Sequence, residues 1–83
     1  MNGTAAVRFL GRLNAFLPRE RRAARLEIAF DRPQSVKHLI ESLGVPHTEV
    51  GKITIDGRTV RFCEPIGDGD EIAVFPFFPD ADA

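Results

Sequence analysis

Apolar and polar residues alternate through Arg25-Leu26-Glu27-Ile28-Ala29-Phe30-Asp31, so Leu26, Ile28 and Phe30 share one face of an extended strand. Upstream, Val7-Arg8-Phe9-Leu10 opens another strand, with Val7 and Phe9 on one face and Gly11 at its end. Leu13, Phe16 and Leu17 follow at helical spacing until Pro18 cuts the segment short, which predicts a turn or single helical coil tucked under the sheet. The short connection makes the two strands an antiparallel hairpin. The period then changes to 3.6. Val36, Leu39, Ile40 and Leu43 recur at i, i+3, i+4 and i+7, leaving Lys37, His38 and Glu41 to solvent. Ser35 caps this helix, Gly44 supplies a left-handed stop, and Pro46 forbids continuation.

Beyond the helix, Lys52-Ile53-Thr54-Ile55 and Arg58-Thr59-Val60-Arg61-Phe62 flank Asp56-Gly57, a pair suited to the positive backbone angles of a tight hairpin. Gly67 to Asp70 makes another turn, and residues 71–77 form the last strand with Ile72 and Val74 inward. Hairpin, helix, short hairpin and closing strand specify an α+β domain. The simplest way to bury every apolar stripe is a β-grasp: a five-stranded mixed sheet, one main helix on one face, the final strand parallel to the first. Residues 1–83 are read as a single β-grasp domain, with an ordered core of about 5–79 and a loose tail at 80–83.

Eighty-three residues support one core, and the seven phenylalanines are its expected anchors. The single cysteine, Cys63, excludes an internal disulfide and a multi-cysteine metal site, and reads as a small buried filler. No apolar run approaches ~20 residues, and Met1-Asn2-Gly3-Thr4 begins nothing like a secretory signal, so the expected setting is the cytoplasm, away from membranes. The net charge of −1 conceals an asymmetry: residues 1–63 hold all eleven Lys and Arg against six acids, whereas residues 64–83 hold six acids and no base. Such a split steers partners, or lets a small domain pair its own ends.

Few residues carry chemistry. Cys63 and His47 are the types needed for a nucleophile and its base, but nothing in the pattern brings them together. His38 falls on the solvated side of the helix, and His47 is expected to hydrogen-bond backbone in the following turn. No catalytic, cofactor-binding or metal-binding residues are assigned, and the chain is not read as an enzyme. Glu64, Asp68, Asp70 and Glu71 fit ordinary turn chemistry better than a cation site. Arg19, Arg21, Arg22 and Arg25 form a possible basic patch, able to meet phosphates if they share a face. Glu20 interrupts them, the pI is near 6.1, and no aromatic is interleaved to stack bases, so a solvated loop is favoured and nucleic acid is not the expected partner. The C-terminal aromatics differ. With Ile72 and Val74 inward, Phe75 and Phe77 point to the uncovered face with Phe78 beside them, a patch soluble monomers usually avoid. They are assigned to partner binding. The competing arrangement is a minor core in which residues 12–18 fold over them.

Several runs also carry a likeness. Arg12-Leu13-Asn14-Ala15-Phe16-Leu17, the helix at 35–43 and Gly69-Asp70-Glu71-Ile72-Ala73-Val74-Phe75-Pro76 resemble the small sulfur carriers of molybdopterin and thiamine biosynthesis. More specifically, Phe16-Leu17-Pro18 with Arg21-Arg22, Ser35-Val36-Lys37 and Leu43-Gly44-Val45-Pro46-His47-Thr48-Glu49-Val50 resemble the ubiquitin-like domain found in bacteria ahead of a PIN-like RNase domain with a zinc ribbon. The likeness spans residues 5–79. It implies a non-catalytic, ubiquitin-like interaction module that docks to or regulates such a nuclease, in cis or in trans. The carriers, which use the same sheet face and tail, adenylate a terminal Gly-Gly inside a channel that only residues without side chains can thread. Here Asp80-Ala81 lies about where that pair belongs, with two residues following. The carrier chemistry is therefore not expected. The alternatives are a carrier whose glycines are lost or exposed by processing, and an RNA-binding accessory domain acting through residues 19–25. The sequence contains neither the converging carboxylates of a PIN-like centre nor the cysteines of a zinc ribbon, which suits a free-standing relative or a piece of a longer protein.

Overall fold

A computed structural model describes residues 3–77. Five strands, β1 (Gly3–Phe9), β2 (Leu26–Phe30), β3 (Val50–Ile55), β4 (Arg58–Val60) and β5 (Glu71–Pro76), form one sheet in the order β2-β1-β5-β3-β4. β5 runs parallel to β1, with Val7 opposite Ile72 and Phe9 opposite Val74, and antiparallel to β3, with Ile53 opposite Val74. The helix α1 (Val36–Ser42) buries Val36, Leu39 and Ile40 in one core with Val7, Phe9, Ile53, Ile55, Ile72 and Val74. This is the β-grasp arrangement that the alternating segments predict.

The amides of the first helical turn need partners outside the helix. Val36 N–H donates to Glu64 O (2.8 Å), Lys37 N–H to Phe62 O (3.1 Å), and His38 N–H to the Ser35 hydroxyl (3.1 Å). The first two bonds explain why β4 stops at Val60 rather than reaching Phe62. The chain must turn its carbonyls from the sheet edge toward α1. At the other end, β1 starts earlier than its apolar pattern suggests. Thr4 N–H donates to the Asp68 carboxylate (2.8 Å), Thr4 O accepts from Gly69 N–H (2.8 Å), and Gly3 pairs with Phe30. The Asp56-Gly57 turn has the expected positive φ values, 52° and 85°.

The connection from β1 to β2 contains two 3-10 turns, Gly11–Phe16 and Arg19–Arg21. Asn14 clamps it: its amide donates to Phe9 O (2.9 Å) and Gly11 O (3.0 Å), and its side-chain oxygen accepts from Ala23 N–H (2.7 Å). Leu13 and Leu17 enter the main core, as expected, but Phe16 does not; it is 42% exposed. Leu13 and Leu17, four apart, occupy the inward side, and the tight turn between them leaves Phe16 outside.

After β5 the chain passes closely over Gly51. A bulge separates the Val50–Pro76 and Lys52–Phe75 pairs, and Phe77 N–H donates to Glu49 O (3.2 Å). A Cβ on Gly51 would lie 2.5 Å from Phe77 Cα and 2.7 Å from Pro76 O. Gly51→Ala should therefore push the exit strand outward and cost about 1–3 kcal/mol. Chemical denaturation should show that loss, with faster hydrogen exchange at the Phe77 amide; a variant as stable as the parent would mean that the close approach constrains nothing.

Candidate docking surfaces

Strand β5 alternates inward Ile72 and Val74 with outward Ala73 and Phe75. Phe75 lies on the open face, half-buried, with the Lys52 ammonium 4.6 Å from its ring centre, a cation–π contact. Phe77, one residue past the strand, is 59% exposed. Phe78, the third residue of the expected patch, lies outside the described residues, as does the tail at 80–83. Of the 12–18 segment, Leu13 and Leu17 join the main core, which includes neither Phe75 nor Phe77. Among the described residues, the exposed large hydrophobic side chains are Phe16 and Phe77. Both border the connection between α1 and β3: Phe16 O would lie 3.5 Å from a Cβ on Gly44, and Phe77 bonds Glu49.

The four arginines of the possible basic patch do not act alike. Arg25 is drawn into the fold, bonding Glu71 through Nε (3.2 Å) and Nη2, and Glu27 through Nη1 (3.0 Å). The hydrogen bond from Arg25 holds the Glu71 carboxyl below its ordinary range, and Glu71 in turn raises the Arg25 pKa. This pair ties the start of β2 to the start of β5, joining the basic and acidic parts of the chain. Arg22 uses Nε to hold Leu17 O (3.0 Å). Arg19 and Arg21 are exposed on the second 3-10 turn, and their side chains make no ion pair among the described residues.

The acids behave as turn formers. The Asp70 carboxylate accepts from Gly67 N–H (2.7 Å), Asp68 from Thr4, and Asp56 from Glu71 N–H (3.1 Å). Among the described residues no three His, Cys, Asp or Glu side chains gather closely enough to hold a metal ion. No helix there is long and apolar enough to cross a membrane.

Two expectations need correction. Cys63 is exposed, not a buried filler, because it sits in the turn that leaves β4 to meet the N-terminus of α1. His47 pairs its ring Nδ1 with the Glu41 carboxylate rather than with backbone, and its own N–H reaches the same oxygen at 3.4 Å. Its ring stands edge-on to Phe62, with centres 5.6 Å apart. The sequence reading assigned Glu41 to solvent and missed this clasp across the helix C-terminus. The six-residue spacing across a Gly-Val-Pro turn was the available signal.

A closing strand between the first and third, with one helix on one face, defines a ubiquitin-like β-grasp protein. The model of the family described as Mut7-C ubiquitin matches residues 2–82, and the chain belongs to that family. The fold is similar to that of the Pyrococcus furiosus protein described as molybdopterin converting factor, subunit 1 (TM-score 0.65, 24% identity, 89% of this chain and 97% of that one). It is also similar to SAMP1 from Haloferax volcanii (TM-score 0.64, 16% identity, 89% and 94%). No curated protein sequence matches the chain.

The hydrogen bond from His47 lowers the Glu41 pKa from its ordinary 4.5. A depressed carboxylate stabilises the fold above the unfolded value, and that contribution is lost as pH falls through the folded value. His47→Ala should thus return Glu41 toward the ordinary range in an NMR titration of its carboxyl carbon and flatten the stability profile below about pH 5. An unmoved Glu41 titration in the variant would mean that the clasp does not form in solution.

Proposed function

We propose that this chain is a non-catalytic docking module of the cytoplasm, and that its partner is a PIN-like RNase domain, carried in cis or met in trans. The observation carrying this reading is Phe77, a large aromatic left 59% exposed where the central strand leaves the sheet. Phe75 continues the surface along the open face, and Phe78 follows in sequence. Aromatic anchors of this kind concentrate binding energy at interface centres. The partner is supported by family membership and by the Gly-Val-Pro-His-Thr-Glu-Val run, which resembles the domains preceding such nucleases. An exposed free thiol such as Cys63 suits a reducing compartment.

Phe77→Asp should abolish co-sedimentation with the PIN-like RNase domain and leave the melting temperature nearly unchanged. Val74→Asp, which buries an unpaired carboxylate in the core, should cost more than about 3 kcal/mol and unfold the domain. If both variants melt equally early, Phe77 belongs to the core and the docking reading fails.

The fold shared with the molybdopterin converting factor subunit favours a second reading, a sulfur carrier. That chemistry needs a C-terminal Gly-Gly, and no glycine follows Gly69 in the 83-residue sequence. Mixed with a carrier-activating enzyme and ATP, this chain should show neither an adenylate nor a thiocarboxylate by intact mass. Either product would replace the docking reading with the carrier one.

A further inference from the structure

We propose that the β1–β2 connection binds a single-stranded polynucleotide, holding its phosphates with arginine and stacking a base on Phe16. The proposal goes beyond the docking role: its residues belong to the connection after β1, whereas Phe77 follows β5. Residues 11–24 carry Arg12, Arg19, Arg21 and Arg22 against one acid, Glu20, and all four arginines are exposed. Arg25 is committed to Glu27 and Glu71, so the cationic surface is the loop itself. Arg22 engages only Nε, which braces its side chain along the loop.

An exposed ring was the feature the linear pattern lacked. Phe16, 42% exposed, supplies it within the same loop as the arginines, and an aromatic side chain stacks on any unstacked base. The loop is held in shape before any ligand arrives. Leu13 and Leu17 anchor it in the core, and Asn14 bonds it at Phe9, Gly11 and Ala23. Little ordering entropy therefore remains to oppose binding.

The near-neutral pI averages over the whole chain and does not describe the loop. Asp56 lies in the β3–β4 turn and Asp68 and Asp70 in the turn before β5, at the end of the sheet where β1 begins. The arginine loop lies where β1 ends. Arg58 offsets the acidic turns at one end, and Glu41 and Glu49 lie toward the other, so attraction of a polyanion rests on the loop arginines themselves.

Fluorescence anisotropy of labelled oligouridylate and oligothymidylate with the full chain tests the site. Binding of either is expected at low salt, and the tighter of the two identifies the natural strand. Log affinity should fall linearly with log salt, and Arg19→Ala/Arg21→Ala should reduce that slope by about 1.4 units, about 0.7 per phosphate contact. Phe16→Ala should weaken binding about tenfold with the slope unchanged. Should Phe16→Ala melt early, the arginine pair decides alone, since both side chains are exposed and their loss leaves the fold intact. An unchanged slope, no binding at low salt, or competition by polyglutamate as strong as by oligonucleotide would overturn the proposal; the last would identify an acidic protein as the ligand. Arg19→Ala/Arg21→Ala should still co-sediment with the PIN-like RNase domain, which keeps this test independent of the docking reading.

Discussion

The strand completed last occupies the middle of the sheet. Without β5, the β1–β2 and β3–β4 hairpins are two separate ribbons, each marginal alone and each presenting an open edge. Inserting β5 removes both edges at once and places Ile72 and Val74 between the apolar faces of β1 and β3. The core under α1 becomes continuous only at that step. Because the β1–β5 contact is parallel, Val7 meets Ile72 across nearly the whole chain, so the fold depends on a contact of long sequence separation.

Delivery of β5 to that position relies on α1. The segment leading from β4 toward β5 hands the Phe62 and Glu64 carbonyls to the first helical amides, Ser35 pairs with Pro65, and Ile66 N–H returns a bond to Gln34 O (3.1 Å). A helix of seven residues is too short to persist by propensity alone. Its apolar stripe and these main-chain bonds keep it in place, and no buried side-chain polar atom of the described residues is left without a partner. The same turn carries Cys63 outward, while Phe62 stays partly buried against the core with its ring edge-on to His47.

The strands and helix were legible because their periods are clean. Alternation in Leu26-Glu27-Ile28-Ala29-Phe30, the i, i+3, i+4, i+7 stripe from Val36, and Asp56-Gly57 each report a local rule that tertiary packing left standing. Less legible were features set by partners distant in sequence. The early start of β1 depends on Asp68 and Gly69, and the short β4 depends on the amides of α1. Phe16 was misplaced because helical spacing alone does not say which two of Leu13, Phe16 and Leu17 turn inward in a 3-10 segment. The arginines read as one patch in the chain, whereas the sheet register separates Arg25 from the rest by setting it beside Glu71.

That separation bears on how a small domain can carry binding surfaces without weakening itself. Arg25 sits midway along the molecule and is used internally; Arg19, Arg21, Phe16 and Phe77 lie where β1 and β5 end and contribute little to the core. Residues at that end can change to suit a ligand at small cost, since surface substitutions away from such internal features usually alter stability by only about half a kcal/mol. The opposite end has no such latitude. Asp56, Asp68 and Asp70 each hold a backbone amide there, so its negative charge belongs to the turns that position β5. The charge pattern of the described residues thus has more than one origin: Asp56, Asp68 and Asp70 are fixed by the turns they close, whereas Arg19 and Arg21 are exposed on a 3-10 turn and form no ion pair among the described residues.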